Sequence, residues 1–196
     1  MEHSAILRSF LTCSIVLSGA MLPGLLQTVA APQDVSSQAV VQSDPWASAQ
    51  GKIVVLIFVR TDCPIANRYV PEIARLSAAH SSDAAFWMVY PDKRESLEEI
   101  QKHQQDYHLS LPVLRDPRRE WIKRAQASVT PEAGVFTPKG RLVYHGRIDN
   151  WFEDFGRARP APTTHELADA IAAAVSGHPA TLPSAPAIGC YLSDLQ

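Results

Sequence analysis

The stretch Ile53-Val54-Val55-Leu56-Ile57-Phe58-Val59-Arg60-Thr61-Asp62-Cys63-Pro64 decides the fold. Its first seven residues are apolar without alternation, the pattern of a central strand covered on both faces. The chain then turns polar, Pro64 suits the first position of a helix, and Ile65, Tyr69, Ile73 and Leu76 repeat at helical spacing. Cys63 therefore stands where a buried strand gives way to a helix N-terminus. Unpaired amides of the first turn and the helix dipole favour a thiolate there. Pro71 lies inside the helical pattern, which resumes beyond it, so a kink is expected and not an end.

Toward the C-terminus, Phe86 to Tyr90 reads as a second buried strand. Ser96 with Glu99 forms a capping box for a helix that sets Leu97, Ile100 and Tyr107 on one side. Leu111 to Leu114 is a short extended piece, and Asp116-Pro117 opens a helix bearing Trp121, Ile122 and Ala125. After Val129-Thr130-Pro131 comes a hairpin, Gly134 to Thr137 and Arg141 to Ile148, turning at Pro138-Lys139-Gly140. Asp149 to Pro162 reads as an ordered loop. Thr163 with Glu166 suggests a second capping box, for a helix burying Leu167, Ile171 and Val175 and stopping at Gly177. Toward the N-terminus, Asp44-Pro45 starts a short helix carrying Trp46, and residues 31–43 are a polar linker.

Helices between strands demand parallel crossovers, whereas the closing hairpin is antiparallel. The expectation is an α/β domain over 44–178 with a mixed central sheet and helices on both faces. It carries an extra N-terminal helix and a Pro-rich C-terminal tail, 179–196, bearing Cys190.

Charge is nearly balanced, 18 Lys+Arg against 20 Asp+Glu, so no basic patch or tail points to nucleic acid. With 46% hydrophobic residues, the 15 prolines punctuate an ordered chain. Residues 1–30 read as an export signal: Arg8, an apolar stretch from Phe10 to Leu26 broken at Pro23-Gly24, then Thr28-Val29-Ala30 for cleavage. An uncleaved anchor is the competing reading, and the Pro-Gly break weighs against it. A periplasmic or secreted location follows, with membrane contact only through this segment before cleavage. Of the 3 cysteines, Cys13 leaves with the signal, and Cys63 and Cys190 remain in an oxidising compartment.

The element order, with Cys63 at the first strand-to-helix junction, Pro71 in the helix and Thr130-Pro131 before the hairpin, resembles the thioredoxin-like superfamily. The nearest likeness is to exported redoxin-type members, the thiol-specific antioxidant and thiol:disulfide oxidoreductase group. It covers about Asp44 to Gly177. The resemblance implies a nucleophile at Cys63 and a cis bond at Thr130-Pro131, in a loop that faces the cysteine and presents backbone to a partner's extended segment. Departures are equally clear. Cys63-Pro64-Ile65-Ala66 lacks the second cysteine of Cys-x-x-Cys, and Asn67 stands where copper-delivering relatives have one. Arg60 and Leu56 replace the Thr or Ser and the Pro of a peroxidatic site.

The candidate catalytic residues are Cys63, Cys190, Thr130, Pro131 and Arg60, the last as support for the thiolate. The substrate class is a protein disulfide or a peroxide, an external thiol reductant is compatible, and no cofactor is implied. Three readings of Cys190 compete: resolving partner of Cys63, permanent disulfide with it, or a cysteine unpaired or paired between chains. A loop this long closed by a disulfide gains about 4–5 kcal/mol in the chain-entropy model. Two alternatives follow: a non-enzymatic binding module stapled by Cys63–Cys190, and a copper or soft-metal redoxin using both cysteines and a histidine. The 7 histidines, His103 and His108 among them, show no ligand spacing and read as surface residues. Arg147-Ile148-Asp149-Asn150-Trp151 is a candidate lining of the cleft beside the cis-proline.

Overall fold

The computed structural model describes residues 44–178 and 185–193. The export signal, the linker and Cys13 lie outside the described residues. No helix among the described residues is long and apolar enough to cross a membrane.

Five strands form the central sheet: β1 (Ile53–Phe58), β2 (Ala84–Tyr90), β3 (Val113–Arg115), β5 (Glu132–Phe136) and β6 (Leu142–Gly146). Their spatial order is β3-β2-β1-β5-β6. β1, β2 and β3 are parallel; β5 runs antiparallel to β1, and β6, antiparallel to β5 in the closing hairpin, runs in the same direction as β1. Every residue of β1 is buried, as its unbroken apolar run requires. Alternate side chains point to opposite faces. Val55 and Ile57 join a core formed with α2 (Pro64–Ala79), α3 (Leu97–Asp106) and α5 (Glu166–Val175). Val54, Leu56 and Phe58 join the other, against α1 (Pro45–Ala49) and α4 (Glu120–Ala125). The mixed sheet with helices on both faces is thus observed. Two short antiparallel pairs complete the fold: β4 (Val129–Thr130) with β9 (Cys190–Tyr191), and β7 (Phe152–Asp154) with β8 (Arg157–Ala158).

Some boundaries differ from the sequence reading for local reasons. The Ser96/Glu99 capping box is present, but only Ile100 of its apolar trio is buried; Leu97 and Tyr107 are exposed. α4 begins three residues after Pro117, because Asp116 caps from a distance: its carboxylate accepts the amides of Glu120 and Ile122. The second capping box does not form. α5 starts at Glu166, whose carboxylate is bound by Arg147 and Thr164, while the Thr163 hydroxyl accepts from Asn150. Leu167, Ala170 and Ile171 face the core, and Val175 in the last turn of α5 is exposed. The stretch read as a loop contains the β7–β8 ribbon, held by Trp151 and Arg159.

Candidate active site

α2 places the first cysteine. Cys63 is its N-cap residue, Pro64 occupies the first turn, and the Asn67 amide donates to the Cys63 carbonyl at 3.0 Å. The helix runs through Pro71 without a break. The free amides of its first turn lie around the position from which the Cys63 side chain leaves the backbone. That side chain is completely buried, and its Sγ–H donates to the Thr130 carbonyl at 3.0 Å. The Thr130–Pro131 bond is cis, as the resemblance implies. Thr130 thus meets the cysteine through its main chain; among the described residues its own buried hydroxyl has no partner.

The second cysteine arrives from the far end of the chain. β9 lies antiparallel along β4, with Cys190 opposite Thr130 and Tyr191 opposite Val129. Both cysteines are free thiols and both meet Thr130, Cys63 at its carbonyl and Cys190 through the strand pairing. Burial pushes the Cys190 thiol up, and the neighbouring Cys63 sulfur pushes it further; Arg60 opposes this and Asp62 adds to it.

Arg60 sits close enough to act on Cys190, but its guanidinium is paired with Asp62 at 2.7 Å. Glu95 lies under the same loop. One of its oxygens accepts the Thr61 amide at 2.6 Å, and the other is buried without a partner. Burial raises its pKa above the ordinary carboxylate range. His103 corrects the surface reading of the histidines, since it is buried. Tyr90 lies 2.9 Å from its Nδ1 and Asn67 Oδ1 lies 2.8 Å from its Nε2. Asn67 in turn donates to the Thr61 carbonyl, so this chain of bonds ties α3 to the loop before Cys63.

The Arg147–Trp151 segment lines a different cleft from the one expected. Asp149 accepts from the Tyr69 hydroxyl at 2.6 Å and Trp151 packs edge-on against the Tyr69 ring, so the segment closes over α2. The cavity of about 360 Å³ beside β4 is lined instead by residues including Val129, Glu132, His145, Phe155 and Gly189. Among the described residues, the group of three side chains placed to share a metal is Glu72, Asp149 and His165, which includes neither cysteine.

Sequence reasoning missed the strand character of the tail and its anchors. The Leu192 amide donates to the Ser128 carbonyl at 2.9 Å, Arg119 donates to the Leu192 carbonyl at 2.7 Å, and the Leu192 side chain is buried in the core against α1 and α4. The only local signal was Gly189 next to Cys190. A Cβ at Gly189 would fall on the Thr130 carbonyl, so glycine is what admits the tail to the cis-proline loop.

A parallel β1–α2–β2 unit, an antiparallel hairpin entered through a cis-proline, and a cysteine capping the first long helix together define a thioredoxin-like redoxin. Solved structures agree in fold. An uncharacterized conserved protein from Geobacillus kaustophilus superposes with a TM-score of 0.63 at 23% identity, covering 72% of this chain and 77% of the other. A hypothetical protein from Sinorhizobium meliloti gives 0.58 at 22% identity, covering 72% and 79%. A thioredoxin-like protein solved in its oxidized form gives 0.53 at 11% identity, covering 70% and 87%. The AhpC/TSA family model matches residues 31–145, more than half of the sequence, and the chain belongs to that family. No curated protein matches the sequence significantly. The matched span contains Cys63 and the cis-proline; Cys190 lies beyond it.

Proposed function

We propose that the protein is an exported thiol oxidoreductase in which Cys63 attacks a disulfide and Cys190 resolves the product. The single observation that carries this reading is that both cysteines, 127 positions apart in sequence numbering, meet at Thr130: its carbonyl accepts the Cys63 thiol, and Cys190 pairs with it where β9 lies along β4. Cys63 gives its proton to solvent and the thiolate attacks one sulfur of the substrate; a new S–S bond forms as the old one breaks, and the leaving thiolate takes the electron pair and a proton from water. Cys190 then gives up its proton to solvent and attacks the Cys63 sulfur, releasing the second substrate thiol. The substrate disulfide gains two electrons, the Cys63–Cys190 pair loses two, and an external dithiol returns the protein to its starting state. A disulfide suits the site better than a peroxide, because Arg60 and Leu56 replace the polar and proline residues of a peroxidatic pocket. Export rests on the apolar N-terminal stretch, and N-terminal sequencing of the protein recovered from its host tests it.

The decisive experiment is titration with bis-thionitrobenzoate, an aromatic disulfide that releases a coloured thiolate. Wild type should release one equivalent more than Cys190→Ser, which stalls as a mixed disulfide on Cys63, and Cys63→Ser should lose the fast phase. Equal release from wild type and Cys190→Ser would remove Cys190 from the mechanism. The complete burial of Cys63 favours a second reading, a binding module stapled by the same two cysteines. A Cys63 that stays inert after mild reduction would select it.

A further inference from the structure

A nucleophile with no exposed surface does not meet a protein disulfide until something moves. What covers Cys63 is itself informative. β9 is an extended strand laid antiparallel on β4, and it carries a cysteine paired with Thr130, the residue whose carbonyl accepts the Cys63 thiol. Its other features fit the groove closely. Gly189 passes over the Thr130–Pro131 backbone where a Cβ has no room, and Leu192, two residues after the cysteine, is 1% exposed. Ser128 and Arg119 hold the Leu192 main chain from both sides, and Ala185 receives the Arg147 amide at the start of the segment. Two short strands joined by a few hydrogen bonds are marginal by themselves, so such a segment is suited to exchange.

Building on the thiol-exchange reading, we propose that β9 stands in for the partner's own strand: the substrate is an extended polypeptide segment with a glycine immediately before its disulfide-bonded cysteine and an apolar residue two positions after it. That segment displaces β9, pairs with β4 and brings its sulfur to Cys63. When β9 re-forms its pairing, Cys190 is returned to the Cys63 sulfur and the partner strand is expelled. One edge thus serves substrate binding and resolution in turn. Main-chain pairing supplies the affinity, and the close approach at Thr130 with the Leu192 socket supplies the selectivity.

The test uses the full chain in two parts. In the Cys190→Ser background, Gly189→Val and Leu192→Ser are designed to loosen β9, with circular dichroism confirming that the domain remains folded. Alkylation of Cys63 by iodoacetamide, followed by mass spectrometry of the Cys63 peptide, should accelerate about tenfold or more in both. Next, a synthetic peptide with the sequence of residues 185–193, its cysteine carried as a mixed disulfide with thionitrobenzoate, is offered to the Leu192→Ser variant. It should react at least about fivefold faster than the same peptide with valine before the cysteine. Alkylation unchanged in both variants, or equal rates with the two peptides, would overturn the proposal. Failure of the underlying thiol chemistry looks different: alkylation would accelerate, yet neither peptide nor bis-thionitrobenzoate would release the coloured thiolate, and the proposal would fall with that chemistry.

Discussion

At the Cys63–Cys190 pair, the two sulfurs are distinguished by their surroundings. Cys63 leaves the first turn of α2, where unpaired amides favour negative charge, whereas burial and the neighbouring sulfur hold the proton on Cys190. Arg60 and Asp62 act on Cys190 with opposite signs, which gives a paired expectation. At neutral pH, Arg60→Ala should slow the resolving step and Asp62→Asn should quicken it, each by roughly two- to fivefold, because that step follows the thiolate fraction of Cys190. Stopped-flow release of the second thionitrobenzoate measures both, and two changes of the same sign would refute the assignment. The position of Cys63 was legible in the sequence, because an apolar run ending at a proline marks a strand-to-helix junction directly. The company it keeps was not. Cys190 is brought in by main-chain pairing with Thr130, and backbone pairing across such a separation leaves no periodic trace.

Among the elements, α3 and the loop before α2 are coupled through Tyr90, His103, Asn67 and Thr61. Burial lowers the His103 pKa, so the folded state holds the neutral ring. Stability should be full above the unfolded value of 6.5 and fall as pH drops through it toward the lower folded value. Urea melts between about pH 5 and pH 8 should show that slope, and His103→Gln should flatten it. His103→Ala should cost about 2–3 kcal/mol, since it strands the buried Tyr90 hydroxyl and the half-buried Asn67 side chain. Glu95 has the opposite sign. Its raised pKa means that ionising it costs stability, so the favourable state exists below its unfolded value and is lost as pH rises through the folded one. Glu95→Gln keeps an acceptor for Thr61 and should be more stable than wild type at neutral pH but not in acid, as thermal melts at the two pH values would report. The strands and long helices were readable because burial imposes a period. The start of α4 and the failed box at Thr163 were not, because Asp116 caps across a turn and Arg147 takes Glu166 from another element.

At the scale of the molecule, the last described residues complete the site instead of trailing from it. β9 bridges the α2 side of the sheet, through Cys190, to the α4 side, through Leu192. Oxidation of the pair should therefore fasten β9, and exchange of the Leu192 amide hydrogen should slow about tenfold or more relative to the reduced protein. Equal exchange in the two states would mean that β9 is held regardless of redox state. The domain was legible because its core depends on patterned burial. The docked tail was hidden by a Pro- and Ala-rich composition that carries no strand signal, and Gly189 makes sense only once Thr130 is seen beneath it. The reduction potential of the Cys63–Cys190 couple, measured by equilibration with glutathione or dithiothreitol and peptide mapping of the linked cysteines, addresses the central claim most directly. A helix N-terminus that stabilises the reduced thiolate should place it among redox-active dithiols, about −120 to −270 mV. A value below about −300 mV, the range of structural disulfides, or no Cys63–Cys190 bond at any poise, would contradict it.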